Sequence, residues 1–375
     1  MIPYGKQSLD ESDIEAVAEV LRGDWLTTGP TVTAFEDALA TFTGATRCVS
    51  ATSGTAALHI AYAAAGVGPG DEVLTTPMTF VATASSAAIL GATVRFADVC
   101  DDTLNLDPAA AEAAITSNTK VIAGVDYAGH PIDIDQLRPI ARKSGALLLE
   151  DAAHSIGSTY HGKPVGSLAD ITTFSFFPTK NMTSAEGGAV AVLDPDLGQR
   201  AHEFHFIGLV RDRDRMRFPE EGPWHQEVHE LGLNYRLPDV LAALGLSQLQ
   251  RLARFKVRRA EIFSRYSEAF ADLDDVTLPT VRPGVDPLWH LYPIRVPHER
   301  RRHIFDALRE RGIGVQVNYI PVYWHPYFAD LGYQRGMCPV AEQFYREEIS
   351  LPMSAALTDS ELDQVIETVR DVVRS

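Results

Sequence analysis

Residues 47–65 read Arg-Cys-Val-Ser-Ala-Thr-Ser-Gly-Thr-Ala-Ala-Leu-His-Ile-Ala-Tyr-Ala-Ala-Ala. A short apolar run, Cys48–Ala51, passes through small residues into a helical pattern over Ala56–Ala65. A strand that feeds directly into a helix is the repeating unit of a parallel sheet covered on both faces. The alternation continues to about Glu150, with strand candidates at Glu72–Thr75, Thr93–Ala97, Val121–Val125 and Ala146–Leu149 and a helix over Phe80–Leu90. Further strands are expected at Thr172–Phe176 and Ala189–Leu193. The fold class is α/β, a large domain on a mixed, mostly parallel sheet.

A long helical pattern follows from about Leu237 to Phe270, and its basic stretch Arg251–Arg259 reads as a solvated face. Alternation over Trp289–Val296 opens a smaller α+β region, so the expected domains are residues 1–250 and 251–375. Upstream, Ile14, Val17 and Leu21 recur at helical spacing before Gly23, and Phe35, Leu39 and Phe42 before Gly44. Between them, Asp24–Pro30 has the turn-rich, aromatic character of a binding loop. Residues 208–230 are polar and aperiodic and are expected to form a mobile surface loop.

The composition, 45% hydrophobic and 22% charged in 375 residues, is that of a globular chain. A net charge of −17 argues against broad nucleic-acid binding. No apolar run has membrane-spanning length, and Met1–Lys6 has no signal-like apolar region. Three widely spaced cysteines, Cys48, Cys100 and Cys338, suit a reduced, cytoplasmic protein and form no zinc spacing.

Ligands of such sheets bind at the carboxyl ends of the strands. After the first strand, Ser53-Gly54-Thr55-Ala56 offers a close backbone approach and the free N–H groups of a helix start, which suits a phosphate; a plain N-cap is the competing reading. After the fifth, Glu150-Asp151-Ala152-Ala153-His154 places acids where they are partly desolvated and need a cationic partner, such as a protonated ring nitrogen; an N-cap or a weak metal site competes. After Phe174-Ser175-Phe176 comes the turn Phe177-Pro178-Thr179-Lys180, whose lysine, if enclosed, becomes a nucleophile toward an aldehyde; an ordinary surface lysine competes. Phe80 offers a face for stacking. Cradle, acid and amine are together the three needs of pyridoxal phosphate.

Three weaker patterns point elsewhere. Gly66-Val67-Gly68-Pro69-Gly70 follows a helix and precedes a strand, the reverse of a dinucleotide fingerprint. His202 and His205 are spaced as metal ligands without an evident third, so no metal is expected. His290 and His325 read as packing, capping or substrate-contacting residues.

The combination resembles the DegT/StrS family of sugar-nucleotide aminotransferases, which have the aspartate-aminotransferase (type I) fold. The likeness rests on Ile2-Pro3-Tyr4, Leu26–Pro30, Ser53–Leu58, Gly70–Val73, Glu150–His154, Phe174–Phe176, Lys180, Glu186-Gly187-Gly188, Asn234-Tyr235-Arg236, Ala243–Leu249 and Gly312–Val317. It is similar above all to enzymes that aminate carbon 4 of UDP-linked keto sugars in pseudaminic acid and 4-amino-arabinose synthesis. The resemblance implies that Lys180 bonds the cofactor and that Asp151 holds its ring nitrogen. It implies that His154 lies over the ring, Phe80 stacks on it, and Gly54, Thr55, Ala56 and Ser175 receive the phosphate. Asn234 would reach the partner subunit's cofactor, which requires a homodimer. Tyr4, Trp25, Leu26, Thr27, Asn318 and Tyr319 would line the nucleotide-sugar site, with Lys6 and Arg236 among the cations for its pyrophosphate. The amino donor implied is L-glutamate. Phe177 and Asn318 stand where many relatives carry histidine, which bears on substrate more than on chemistry. Amination at carbon 3 of a TDP-keto sugar, or of a keto-cyclitol, is the neighbouring alternative. A dehydratase of this family would replace the lysine by histidine, and a non-catalytic binder would show a broken site.

Overall fold

A computed structural model of the chain describes residues 1–375. Strands β1 (Arg47–Ala51), β2 (Glu72–Thr75), β3 (Thr93–Phe96), β4 (Thr119–Val125) and β5 (Leu147–Asp151) come first. The short β6 (Thr159–Tyr160) and β7 (Lys163–Pro164) precede β8 (Ile171–Ser175) and β9 (Gly188–Val192). The central sheet has seven strands in the order β1-β9-β8-β5-β4-β2-β3. β9 runs antiparallel to both neighbours, and every other pair is parallel. Each expected strand of this sheet is present, displaced by two residues at most.

Helices α1 (Glu11–Arg22), α2 (Pro30–Thr43), α3 (Gly54–Ala64), α4 (Ala82–Ile89), α5 (Pro108–Ala114), α6 (Ile134–Ser144) and α7 (Pro195–His205) belong to the first half. Strand alternation divides the core in two. Val49, Leu149 and Val190 pack with α3, α4 and the C-terminal elements, whereas Cys48, Leu148 and Ala191 pack with α2, α6 and α8 (Asp239–Phe270). Phe35 and Leu39 of α2 are fully buried in the second cluster, each contributing roughly 1.5–3 kcal/mol. Gly188 is dictated by close approach. A Cβ there would lie 2.5 Å from Ser53 O and 2.8 Å from Phe174 O, so β9 could not sit between its neighbours.

After β12 (Val285–Asp286), which pairs with β6, the C-terminal region pairs β13 (Tyr292–Arg295) with β14 (Glu348–Leu351) and adds α9 (His298–Glu310), α10 (Pro326–Asp330), α11 (Pro339–Glu347) and α12 (Asp359–Arg374). The expected division at residue 250 falls inside the continuous helix α8, and Ile2 bridges to Ile313, tying the N-terminus to the C-terminal region. No helix is long and apolar enough to cross a membrane.

The helix expected before Gly23 is present as α1, although it buries an unexpected residue, and two other local expectations are overturned. On α1 the buried residue is Asp13, which accepts from Ser247 and Gln248 and pairs with Arg251, while Ile14 and Leu21 face outward. The basic stretch of α8 is not uniformly solvated: Arg259 is buried and donates to the carbonyls of Trp289, His290 and Met353. Residues 208–230 are a tied arm rather than an aperiodic loop. β10 (Leu209–Val210) pairs with β11 (Glu227–Val228), and the Glu227 carboxylate accepts from Arg217 N at 2.8 Å, Phe218 N at 2.7 Å and His229 at 2.5 Å. In all three cases a polar group found several partners at once, and periodicity does not register such partners.

Asp239, buried at the start of α8, accepts from the N–H groups of Gly29 (2.8 Å) and Thr31 (2.9 Å), so it caps α2 from a distance. Asp239→Ala should cost about 2–3 kcal/mol, the scale of a lost cap plus charge-assisted hydrogen bonds, and Asp239→Asn should recover part of it. Urea unfolding of the three proteins measures this; equal midpoints would refute the capping role.

Candidate active site

The carboxyl ends of β1, β2, β4, β5 and β8 open into one cavity of about 690 Å³. At the end of β1, Ser53 caps α3 through the Ala56 N–H at 3.1 Å. The N–H groups of Gly54 and Thr55 have no acceptor in the chain and are left for an anion, reinforced by the helix dipole. The expected role of Ala56 is corrected here, because the cap already takes its N–H. A Cβ on Gly54 would lie 2.7 Å from Ser175 Cβ, so glycine is what lets the α3 start and the β8 end form one cradle.

Asp151 ends β5, paired with Val125 on β4 and Thr173 on β8. All three side chains line the cavity, since paired positions in parallel strands share a face. Asp151 is buried. Its Oδ2 accepts from Thr83 Oγ1 at 2.6 Å and its Oδ1 from the Ala153 N–H at 3.2 Å. Burial raises its carboxyl above the usual range, and Thr83, Ala153 and Lys180 pull it back. Lys180 leaves the turn after β8, where its N–H bonds Phe177 O. Burial lowers its amine to about 8, with Asp151 opposing. The two groups thus hold each other near their reactive charge states.

His154 Nε2 lies 3.1 Å from Tyr319 OH, and its ring packs on His290 with centroids 4.3 Å apart. Burial, then the charge of Lys180, keeps His154 neutral; burial and His154 do the same for His290. Phe80 is exposed on the cavity wall, edge-on to Tyr319. Asn318 is a hub. Its N–H donates to Glu348, its carbonyl accepts from Tyr127 OH (2.5 Å), and its Nδ2 donates to Tyr4 OH (2.6 Å).

Gly54, Thr55, Phe80, Asp151, His154, Ser175, Lys180, Tyr4, Asn318 and Tyr319 therefore converge as expected. Four others do not. Trp25 and Leu26 are 59% and 52% exposed and, with Thr27, lie outside this cavity, because the segment is tied to the start of α8 by Leu26 O and Asp239. Lys6 borders a separate small void behind Lys180. Asn234 is exposed, bridged to Phe206, and absent from the cavity wall. His325 starts α10 and does not line the cavity. Thr83 belongs to the site without any motif to announce it. Its signal is the i, i+4 pairing with Thr79, whose hydroxyl is 2.7 Å away.

The residues fit pyridoxal phosphate on structural grounds: an anion cradle that only glycine permits, a buried acid and a buried amine on one cavity. Fold and site define a pyridoxal-phosphate-dependent enzyme of the type I α/β class. The chain belongs to the DegT/DnrJ/EryC1/StrS aminotransferase family, whose model matches residues 7–370, and it is an aminotransferase. It is 38% identical to the spore coat polysaccharide biosynthesis protein SpsC of Bacillus subtilis, over 100% of this chain and 97% of that one. It is 37% identical to the UDP-4-amino-4,6-dideoxy-N-acetyl-β-L-altrosamine transaminase of Campylobacter jejuni, over 94% and 92%. Among solved structures it matches Streptococcus pneumoniae Spr1654 in its PMP form with a TM-score of 0.94 and 32% identity, covering 100% of this chain and 99% of the other.

Capture of pyridoxal phosphate by the apo-protein should speed up as pH rises through about 8, where the Lys180 amine loses its proton. Asp151→Asn should move that midpoint down, since Asp151 is what holds the amine's proton. Stopped-flow absorbance reads both, and a midpoint unmoved by the substitution would break the proposed coupling. Gly54→Ala should weaken cofactor affinity on the order of tenfold or more by pushing the cradle open, the scale of about 1.4 kcal/mol; equilibrium dialysis would show unchanged affinity if the cradle reading is wrong.

Proposed function

We propose that the chain transfers an amino group from L-glutamate to carbon 4 of a nucleotide-linked keto sugar. The observation that carries the reading is the convergence of Lys180, Asp151 and the α3 start on one cavity large enough for cofactor and substrate, within the roughly 300–1,000 Å³ of small-molecule sites. Bound there, pyridoxal phosphate would supply a reactive carbonyl carbon and an electron-withdrawing ring. Asp151 would keep a proton on the ring nitrogen. Lys180 would take a proton at its amine and return it two atoms along, acting as base and then acid. Gly54, Thr55 and Ser175 would hold the phosphate, and Phe80 would offer its face to the ring. His154, held neutral, stacks on Tyr319 with neutral His290 packed on it, so neither adds charge.

Carbon 4 and the UDP carrier are supported by the name of the Campylobacter relative, which describes a 4-amino sugar on UDP. Phe177 forms part of the wall near Lys180. An apolar ring there favours a deoxy or pentose sugar, since a buried hydroxyl without a partner is costly. Glutamate, the cofactor phosphate and a pyrophosphate together bring several negative charges, yet Lys180 is the one lysine on the cavity wall and no arginine joins it. The missing cations point to a second copy. The segment over 207–236 carries Asn234, places Arg211 and Arg236 each 4.5 Å from the Phe206 ring, and exposes Trp224 (78%) and Leu231 (88%). Such an edge suits a homodimer with shared sites.

Purified protein, glutamate and a panel of UDP- and TDP-linked 4-keto and 3-keto sugars, read by mass spectrometry, test the substrate. A 4-amino UDP-sugar is the expected product, and clear preference for a 3-keto sugar or a free ketone overturns the assignment. Lys180→Ala should abolish turnover. Mixing Lys180→Ala with Asn234→Ala chains should restore part of it, because one hybrid site then carries neither lesion. No recovery after verified subunit exchange would count against shared sites.

A further inference from the structure

Asp151 faces the cavity, so strand alternation sends its neighbour Glu150 to the opposite face of the sheet. There Glu150 is wholly buried, and so is Asp126, which follows β4. In the β4–β5 register Gly124 pairs with Glu150 and Val125 with Asp151, so Asp126 returns to the face of Glu150. Gly124 has no side chain to separate them. Few groups face the pair. Thr172 Oγ1 donates to Glu150 Oε2 at 3.2 Å, and Glu150 Oε1 has no hydrogen-bond partner. Ile132 N (2.9 Å) and Ser155 Oγ (2.5 Å) donate to Asp126. The nearest cation, Arg138 of α6, is 4.0 Å from Asp170, whose carboxylate accepts the Leu148 N–H, and neither Asp126 nor Glu150 forms a salt bridge.

Two adjoining, wholly buried carboxyls without a counter-ion cannot both be charged, because the desolvation of each adds to their mutual repulsion. Burial followed by the charge of Glu150 raises Asp126, and burial raises Glu150. The pair is also tied to the site. Asp126 N donates to Asp151 O at 3.1 Å, and the Asp126 carboxylate holds Ser155, so Asp126 grips both ends of the segment that carries Asp151 and His154.

We propose that Asp126 and Glu150 share one proton as a buried acid pair behind the sheet, and that this pair is a positioning device for Asp151 and His154. The shared proton lies between the two carboxyls, and the remaining lone pairs of Asp126 stay available for Ile132 and Ser155. A single negative charge on the pair also leaves Asp151 free to be ionised on the other face. This role rests on the reading of Asp151 as the partner of the ring nitrogen, whereas the shared proton does not.

The experiment compares the wild-type holoenzyme with Glu150→Gln, Glu150→Ala and Asp126→Asn. Infrared spectra near neutral pH should show the C=O stretch of a protonated carboxylic acid in the wild type that Glu150→Gln removes; absence of that band in the wild type overturns the shared proton. The sign of the pH dependence follows from linkage. The folded pair retains a proton that the unfolded chain releases, so the wild type loses stability as pH rises above the ordinary carboxyl range. The Tm of Glu150→Gln relative to wild type should therefore climb between pH 5 and pH 8, and a flat difference also overturns it. Asp126→Asn gives a second infrared and Tm test if Glu150→Gln does not fold. For positioning, Glu150→Ala should lower kcat of the glutamate half-reaction about tenfold with KM little changed and shift the cofactor's absorbance, and Glu150→Gln should restore most of both. Normal kcat and spectrum in Glu150→Ala would overturn positioning. Failure of Asp151→Asn to impair the enzyme, with the infrared band intact, would instead sink the Asp151 reading alone.

Discussion

The structure depends on keeping one carboxylate usable in a place that opposes charge. Asp151 sits at the end of a strand covered on both faces, where desolvation drives it toward neutrality. Thr83, the Ala153 N–H and Lys180 counter that drive, and each comes from a different element: a helix, the strand's own turn, and the turn after β8. Lys180 meets the reverse problem, since burial removes its proton and Asp151 restores it. The active site is a balance between these two, and the sheet exists in part to hold them at one edge.

That balance explains why the surroundings are so heavily bonded. The cradle of α3 needs Gly54 because Ser175 occupies the space of a side chain, and β9 needs Gly188 because two carbonyls do. The opposite wall is fixed by Asn318, whose backbone and side chain are all engaged by Glu348, Tyr127 and Tyr4. A residue expected to meet substrate is thereby largely a strut, and its place in the wall rather than its free side chain shapes the site. Asn318 gives this chain a compact hydrogen-bonded hub, and Phe177 gives it an apolar surface near Lys180.

Much of the fold was legible because parallel strands buried on both faces read as apolar runs, and the strand-end rule then points to the chemistry. Gly54, Asp151 and Lys180 follow from that rule alone. Trp25, Leu26 and Thr27 did not join them, because their loop is anchored to Asp239, more than two hundred residues away. Thr83 was invisible for the opposite reason: a buried helical threonine carries no pattern until a carboxylate is placed opposite it.

The sequence by itself determined the succession of the central strands, the residues gathered at their carboxyl ends and the family, since these depend on local periodicity and on short motifs within single turns. Only the tertiary structure decided which faces meet. It turned the apolar residues Ile14 and Leu21 outward while burying Asp13, buried Arg259 on three carbonyls, closed residues 208–230 around Glu227, and set Glu150 against Asp126 on the far side of Asp151. The physical reason is the same in each case. A polar group is buried when partners distant in sequence satisfy it, and one-dimensional periodicity counts hydrophobicity but not partners.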